Sequence, residues 1–323
     1  MRLVLAILLC GAVPARAFLF GVPSEKKAVS MLNGMRDSFA RGDCASVMDT
    51  SSGFLIEKPA ANLREEAYGY MGRCYEAGGA TDKAISLYKL ASGLYPANSL
   101  FALRLALIYN KAGFFGNAVP LFLKVLNTRS DDMEANLGLA RSYAALGFYS
   151  RAKTYYSRAA IFTDFSDAAA LREYAFCMLK KRDWNEALYI AGRGAKAEPG
   201  SASWSLVEAR VMAGKGDYSK AVEAVDKAID LEPSRRLRLE RALYLLLGGL
   251  PERAAAAADA ELAADKGDPL ASEVKGMALY ALKRKDEAAV YFKIAAKGGP
   301  FTARIADSFL GGKVERPEGS CEK

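Results

Sequence analysis

The 323-residue chain contains no histidine. That absence excludes Ser-His-Asp and Cys-His nucleophilic arrangements, and every site that would use imidazole as a metal ligand. Cysteine is scarce, at five residues, and no CxxC pair occurs. A phosphate-cradling loop is missing: Gly312-Lys313 lacks a glycine five residues earlier and a Ser or Thr after it. No EF-hand spacing is present. Acidic pairs such as Asp131-Asp132 fall where helix caps belong. Nothing here points to catalysis, a metal or a cofactor. The apolar stretch at residues 3–9 is too short to span a bilayer, so the mature chain is expected to have no transmembrane segment. No run of five like charges occurs, although the net charge is +8. A basic balance suits nucleic acid, an anionic membrane surface or an acidic peptide. No nucleic-acid motif accompanies it, so nucleic acid is not expected as a partner.

What the chain does contain is a repeat. An alanine recurs at Ala84, Ala118, Ala152, Ala187, Ala221, Ala254 and Ala288, at intervals of 34, 34, 35, 34, 33 and 34 residues. A small residue keeps step ahead of it: Gly72, Ala106, Ala140, Ala175, Ala209, Ala242 and Gly276. Three residues after that small slot stand Tyr75, Tyr109, Tyr143, Met178, Met212, Leu245 and Leu279. Four residues after the alanine stand Tyr88, Phe122, Tyr156, Ala191, Val225, Ala258 and Phe292. The logic is steric. Two closely crossing helices need small residues where their backbones approach, and bulky neighbours fill the remaining space. Gly78-Gly79, Gly113, Gly147, Gly216 and Gly248-Gly249 mark turns, and Pro96, Pro199, Pro233 and Pro300 stop helices. Asp183 with Glu186, and Asp131 with Glu134, have capping-box spacing.

The stretch Tyr68, Met71, Gly72, Tyr75, Ala84, Tyr88, Pro96 resembles the tetratricopeptide pattern W-x2-L-G-x2-Y…A-x3-F…P, and the resemblance covers residues 65–302. It implies an all-α fold, a right-handed superhelical solenoid of stacked helix-turn-helix repeats. One repeat cannot bury its apolar face alone; stacked repeats can. Seven units are expected, at about 65–98, 99–132, 133–167, 168–201, 202–234, 235–268 and 269–302. The sixth should pack most loosely, because 254–258 is all alanine.

Residues 1–17 resemble a secretory signal, with Arg2, an apolar core and Ala15-Arg16-Ala17 as a small-x-small cleavage pattern. Acylation of Cys10 would make the chain a lipoprotein, but Leu8 and Leu9 depart from the Leu-small-small-Cys pattern. Export to the periplasm or cell envelope is the expectation. Residues 18–64 read as N-terminal helices forming a degenerate repeat, with Ser24 as a cap and a loop over 52–63. Residues 303–323 read as the end of a closing helix and a polar tail carrying Cys321. Cys74 and Cys177 share one repeat position and read as small buried residues. In an oxidising compartment packing between neighbouring units would also allow a Cys44–Cys74 bond.

Tetratricopeptide proteins line a concave groove with their first helices. The resemblance places Arg73, Leu107, Arg141, Phe176 and Arg210 one residue after the small slot on that wall, with Arg104, Asn110, Lys111 and Arg172 nearby. Arginines on rigid helices grip carboxylates bidentately, and apolar neighbours supply desolvated area. The expected partner is a protein or peptide segment that is acidic and partly apolar. The equally simple account is that these arginines keep an exposed wall soluble. The family's chaperone-tail clamp does not carry over, because Gly69 and Arg73 replace its Lys and Asn. A non-catalytic interaction scaffold is the leading expectation. An envelope polysaccharide or glycan factor, using Tyr70, Phe176 or Tyr280 as aromatic platforms, is the alternative.

Overall fold

Small residues at close crossings and glycines at turns favour helix pairs, and helix pairs form. The computed structural model describes residues 23–299. Among these the backbone makes sixteen α-helices and no strand. Two compact units divide the chain after Ser130. The first holds α1 (Pro23–Ala40), α2 (Cys44–Ile56), α3 (Ala61–Ala77), α4 (Thr81–Leu94), α5 (Ser99–Lys111) and α6 (Phe115–Thr128). The second holds α7 (Met133–Ala145), α8 (Tyr149–Phe162), α9 (Ala168–Lys181), α10 (Trp184–Ala197), α11 (Ala202–Gly214) and α12 (Tyr218–Leu231). It continues with α13 (Arg235–Leu247), α14 (Pro251–Ala264), α15 (Pro269–Ala281), α16 (Lys285–Ala295) and a 3-10 turn, Ala296–Gly298. Within each unit consecutive helices pack in a row, which is solenoid architecture.

The steric argument holds residue by residue. All seven marker alanines are buried. A Cβ added to Gly72 would lie 2.4 Å from the ring of Tyr88, and one added to Gly276 would lie 2.8 Å from Phe292. The aromatic knob of the second helix thus rests on the bare backbone of the first. Two tryptophans repeat the device unforeseen: Trp204 covers Gly194, and Trp184 covers Gly214. First helices open on polar caps. Asn98, Asp132, Asp167, Ser234 and Asp268 each accept a hydrogen bond from a backbone N–H of the first turn. Such a cap contributes about 1 kcal/mol.

Several local expectations change. Ser24 lies inside α1 rather than capping it. The segment 52–56 is helical, not loop, because buried Phe54 extends α2 into the apolar core beneath α3. Asp132, not Asp131, caps α7. Asp183 occupies the N-cap position of α10, but its carboxylate accepts from Lys153 and Lys181, both at 3.1 Å. In the sixth repeat the core falls into small groups, around Leu245 and Ala254, Leu239 and Leu262, and Ala242 and Ala258. Alanines too short to bridge adjacent layers account for this.

Cys44 and Cys74 form a disulfide, with Cα atoms 5.2 Å apart, that ties the start of α2 to α3. Cys177 is free and buried, and burial pushes its thiol up to about 11. No helix among the described residues is long and apolar enough to cross a membrane. The signal expected at 1–17, Cys10, the end of a closing helix and polar tail expected at 303–323, and Cys321 lie outside the described residues.

Candidate functional site

The position after the small slot faces a neighbouring helix pair, and its chemistry alternates. In the second unit Arg141 meets Glu173 of the next pair through two hydrogen bonds, Nε–Oε2 at 2.6 Å and Nη2–Oε1 at 2.8 Å. Arg210 meets Glu240 in the same way, at 2.8 and 3.0 Å. Phe176 lies between these two levels, with the Arg210 guanidinium 5.4 Å from its ring centroid. Burial pushes the Glu240 carboxyl up, but hydrogen bonds from Arg210 and Tyr244 overcome that and hold it below the usual glutamate range. Arg172 pairs with Glu198 and lies 6.0 Å from the ring of Trp204.

In the first unit the pattern begins with Arg36, whose Nη2 lies 2.7 Å from Glu66. Arg73 is exposed and stacks on Phe39, 4.7 Å from its centroid. Arg104 pairs back to Glu76 at 3.0 and 2.6 Å, and Tyr88 donates to the same carboxylate at 2.6 Å. Leu107 and Asn110 are half-buried on α5, and Lys111 is exposed. Three arginines expected to meet a partner, Arg141, Arg172 and Arg210, are therefore already paired within the chain. Charges about one repeat apart carry this information in the sequence: Glu173 and Glu240 each stand two residues before the next small slot.

Phe176 and Arg210 do come together, in a cleft of about 650 Å³ in the second unit. Tyr149, Trp184, Glu173, Lys180 and Arg236 complete its main lining. Lys180 and Arg236 are exposed and make no ion pair among the described residues. They are the cations that reading the post-slot position alone overlooks. The cleft combines two half-buried rings, Phe176 and Trp184, with an excess of positive charge. Of the other candidate platforms, Tyr70 is occupied by Phe39 and Glu66, and Tyr280 is exposed beside Lys285.

The tetratricopeptide repeat family model matches residues 103–164 and 206–269, in register with the small slots and alanines described above. Both of these stretches belong to the tetratricopeptide repeat family. Among solved structures, a tetratricopeptide repeat protein from Parabacteroides merdae ATCC 43184 is 18% identical. It covers 76% of this chain and 98% of its own length, with a TM-score of 0.61. YrrB, described as a TPR protein with an unusual peptide-binding site, is 22% identical at a TM-score of 0.51, covering 54% of this chain and 89% of its own. Both likenesses concern the fold. Lipopolysaccharide assembly protein B of Escherichia coli K12 is 26% identical over 203 residues, 58% of this chain and 51% of its own length. The repeat protein thus spans about half the length of the curated relatives it matches.

Proposed function

We propose that this repeat protein is a non-catalytic interaction scaffold of the cell envelope. It holds an acidic, partly apolar segment of a partner protein against its first helices. The observation that carries the reading is the cleft of the second unit, where Phe176 and Trp184 offer apolar area beside Lys180 and Arg236. Apolar burial supplies affinity, and the cations select sign and speed encounter. Arg210 serves as a wall. Its guanidinium is fixed between Glu240 and Phe176, so it presents a preorganised edge.

Two observations support the envelope. The Cys44–Cys74 bond suits an oxidising compartment. The similarity to a lipopolysaccharide assembly protein suggests a related place of work. Periplasmic export through the leader at 1–17 completes this reading. The second reading is a factor in envelope polysaccharide assembly that contacts glycan itself. Exposed Tyr280 and the relative's role favour it.

The test is crosslinking in the native cell followed by mass spectrometry, comparing the natural protein with Lys180→Glu/Arg236→Glu. Both residues are exposed and make no ion pair among the described residues, so the variant is expected to fold. Capture of an acidic protein partner should fall at least tenfold. Equal capture by the variant overturns the cleft. Binding to purified polysaccharide without any captured protein favours the second reading instead.

A further inference from the structure

Gly69 is where the first full repeat departs from its neighbours. Three residues before the small slot, other repeats carry Leu103, Leu137 and Leu239, all buried. At Gly69 nothing lies within 4 Å of where a Cβ would stand. That space opens onto a cleft of about 320 Å³ in the first unit, walled by Tyr70, Arg73, Leu100 and Phe101.

Arg73, one helical turn further on, is also an exception. Arg36, Arg141 and Arg210 occupy the same repeat position, and each holds a glutamate. The residue that supplies the glutamate to Arg141 and Arg210 stands two before the next small slot. For Arg73 that residue is Arg104, which is committed to Glu76. Arg73 pairs with no carboxylate among the described residues. The acids lining its cleft are engaged elsewhere. Glu65 accepts from Asn98 at 2.7 Å, and Glu66 accepts from Arg36 and Tyr70, both at 2.7 Å.

An open space walled in part by Tyr70, Leu100 and Phe101 therefore lies beside a cation that no carboxylate pairs among the described residues. Gly69 and Arg73 are four helical residues apart, a rise of about 6 Å. An extended peptide advances about 6.6 Å over two residues and returns its side chains to the same face. We propose that this cleft takes an extended segment of a protein partner in which one apolar side chain enters at Gly69. An Asp or Glu two positions away in that segment is held by Arg73. The assignment rests on the groove reading above and adds a sequence-selective station to it.

The test uses the full chain and arrays of C-terminally amidated nonapeptides. Their centres are Leu-x-Glu or Glu-x-Leu, and the other positions are randomised. Matched arrays replace Glu by Gln or Leu by Ala. The natural protein should bind the Leu/Glu arrays at least tenfold more tightly than either control. Arg73→Gln should erase the preference for Glu over Gln. Gly69→Leu refills the vacancy as Leu103, Leu137 and Leu239 do in their repeats, and should reduce Leu peptides to the Ala level with no fall in Tm. Equal binding of Glu and Gln arrays, or undiminished binding of Leu peptides by Gly69→Leu, overturns the assignment. Lys180 and Arg236 lie in the other unit. Partner capture that still depends on them while the peptide preference is absent rejects this station and leaves the groove reading standing.

Discussion

Glu273 shows how one side chain can break a repeat rule. It stands where Leu103, Leu137 and Leu239 stand in other repeats, and it is 7% exposed. No hydrogen bond or ion pair engages it among the described residues, and burial pushes its carboxyl above the usual glutamate range. A raised carboxyl pKa means that the folded state resists ionisation. The fold is therefore penalised at neutral pH, and the penalty disappears as pH falls below the unfolded carboxyl range. Glu273→Gln should raise Tm at about pH 7, and the difference from the natural protein should close near pH 4, in the range of free carboxyls. Thermal melts across that interval check it; a Tm difference independent of pH would sink the account. Such a charge is visible in the sequence, but its burial is not.

At the scale of the element, the turn between the helices of a pair obeys a backbone rule that the glycine pattern only partly reveals. The residue seven after the small slot has a positive φ in every full repeat. It is Gly79, Gly113, Gly147, Gly216 or Gly249 in five of them, but Arg182 (φ 59°) and Lys283 (φ 62°) in the other two. The geometry of the pair imposes a left-handed residue, and where glycine is absent an L side chain accepts the strain. Arg182→Gly and Lys283→Gly should each stabilise the protein by about 0.5–1 kcal/mol. This is the net of strain relief and the extra freedom that glycine gives the unfolded chain. Urea midpoints at unchanged m-value measure it, and a lower midpoint would show that the turn is unstrained. The glycine signals thus located five turns, whereas the remaining two were set by the packing of α9 on α10 and α15 on α16.

The whole molecule is a basic chain whose first unit is stapled, whereas the second holds no disulfide among the described residues. The Cys44–Cys74 bond closes a span of 30 residues and links the degenerate N-terminal pair to the first full repeat. A crosslink over such a loop contributes about 3 kcal/mol. In a row of repeats stability is shared mainly with nearest neighbours, so the loss on reduction should stay local. Reduction, or Cys44→Ser/Cys74→Ser, should lower hydrogen-exchange protection in α1 and α2 while leaving α9 to α16 as protected as before. Uniform loss across the chain, or none, would contradict nearest-neighbour behaviour.

The sequence alone determined the helix pairs, their 34-residue register, the small slots and the family. Each of these depends on local sterics, which recur identically in every repeat: an alanine or glycine under a ring, a glycine at a left-handed turn. Tertiary structure decided which arginines remain available. Arg141, Arg210 and Arg73 share one repeat position, but packing of the adjoining helix pair brings Glu173 and Glu240 to the first two, while Arg104 stands at the corresponding place for the third and is held by Glu76. Charge pairing between repeats depends on residues some 30 positions apart meeting at a packed interface, and no single repeat contains both partners.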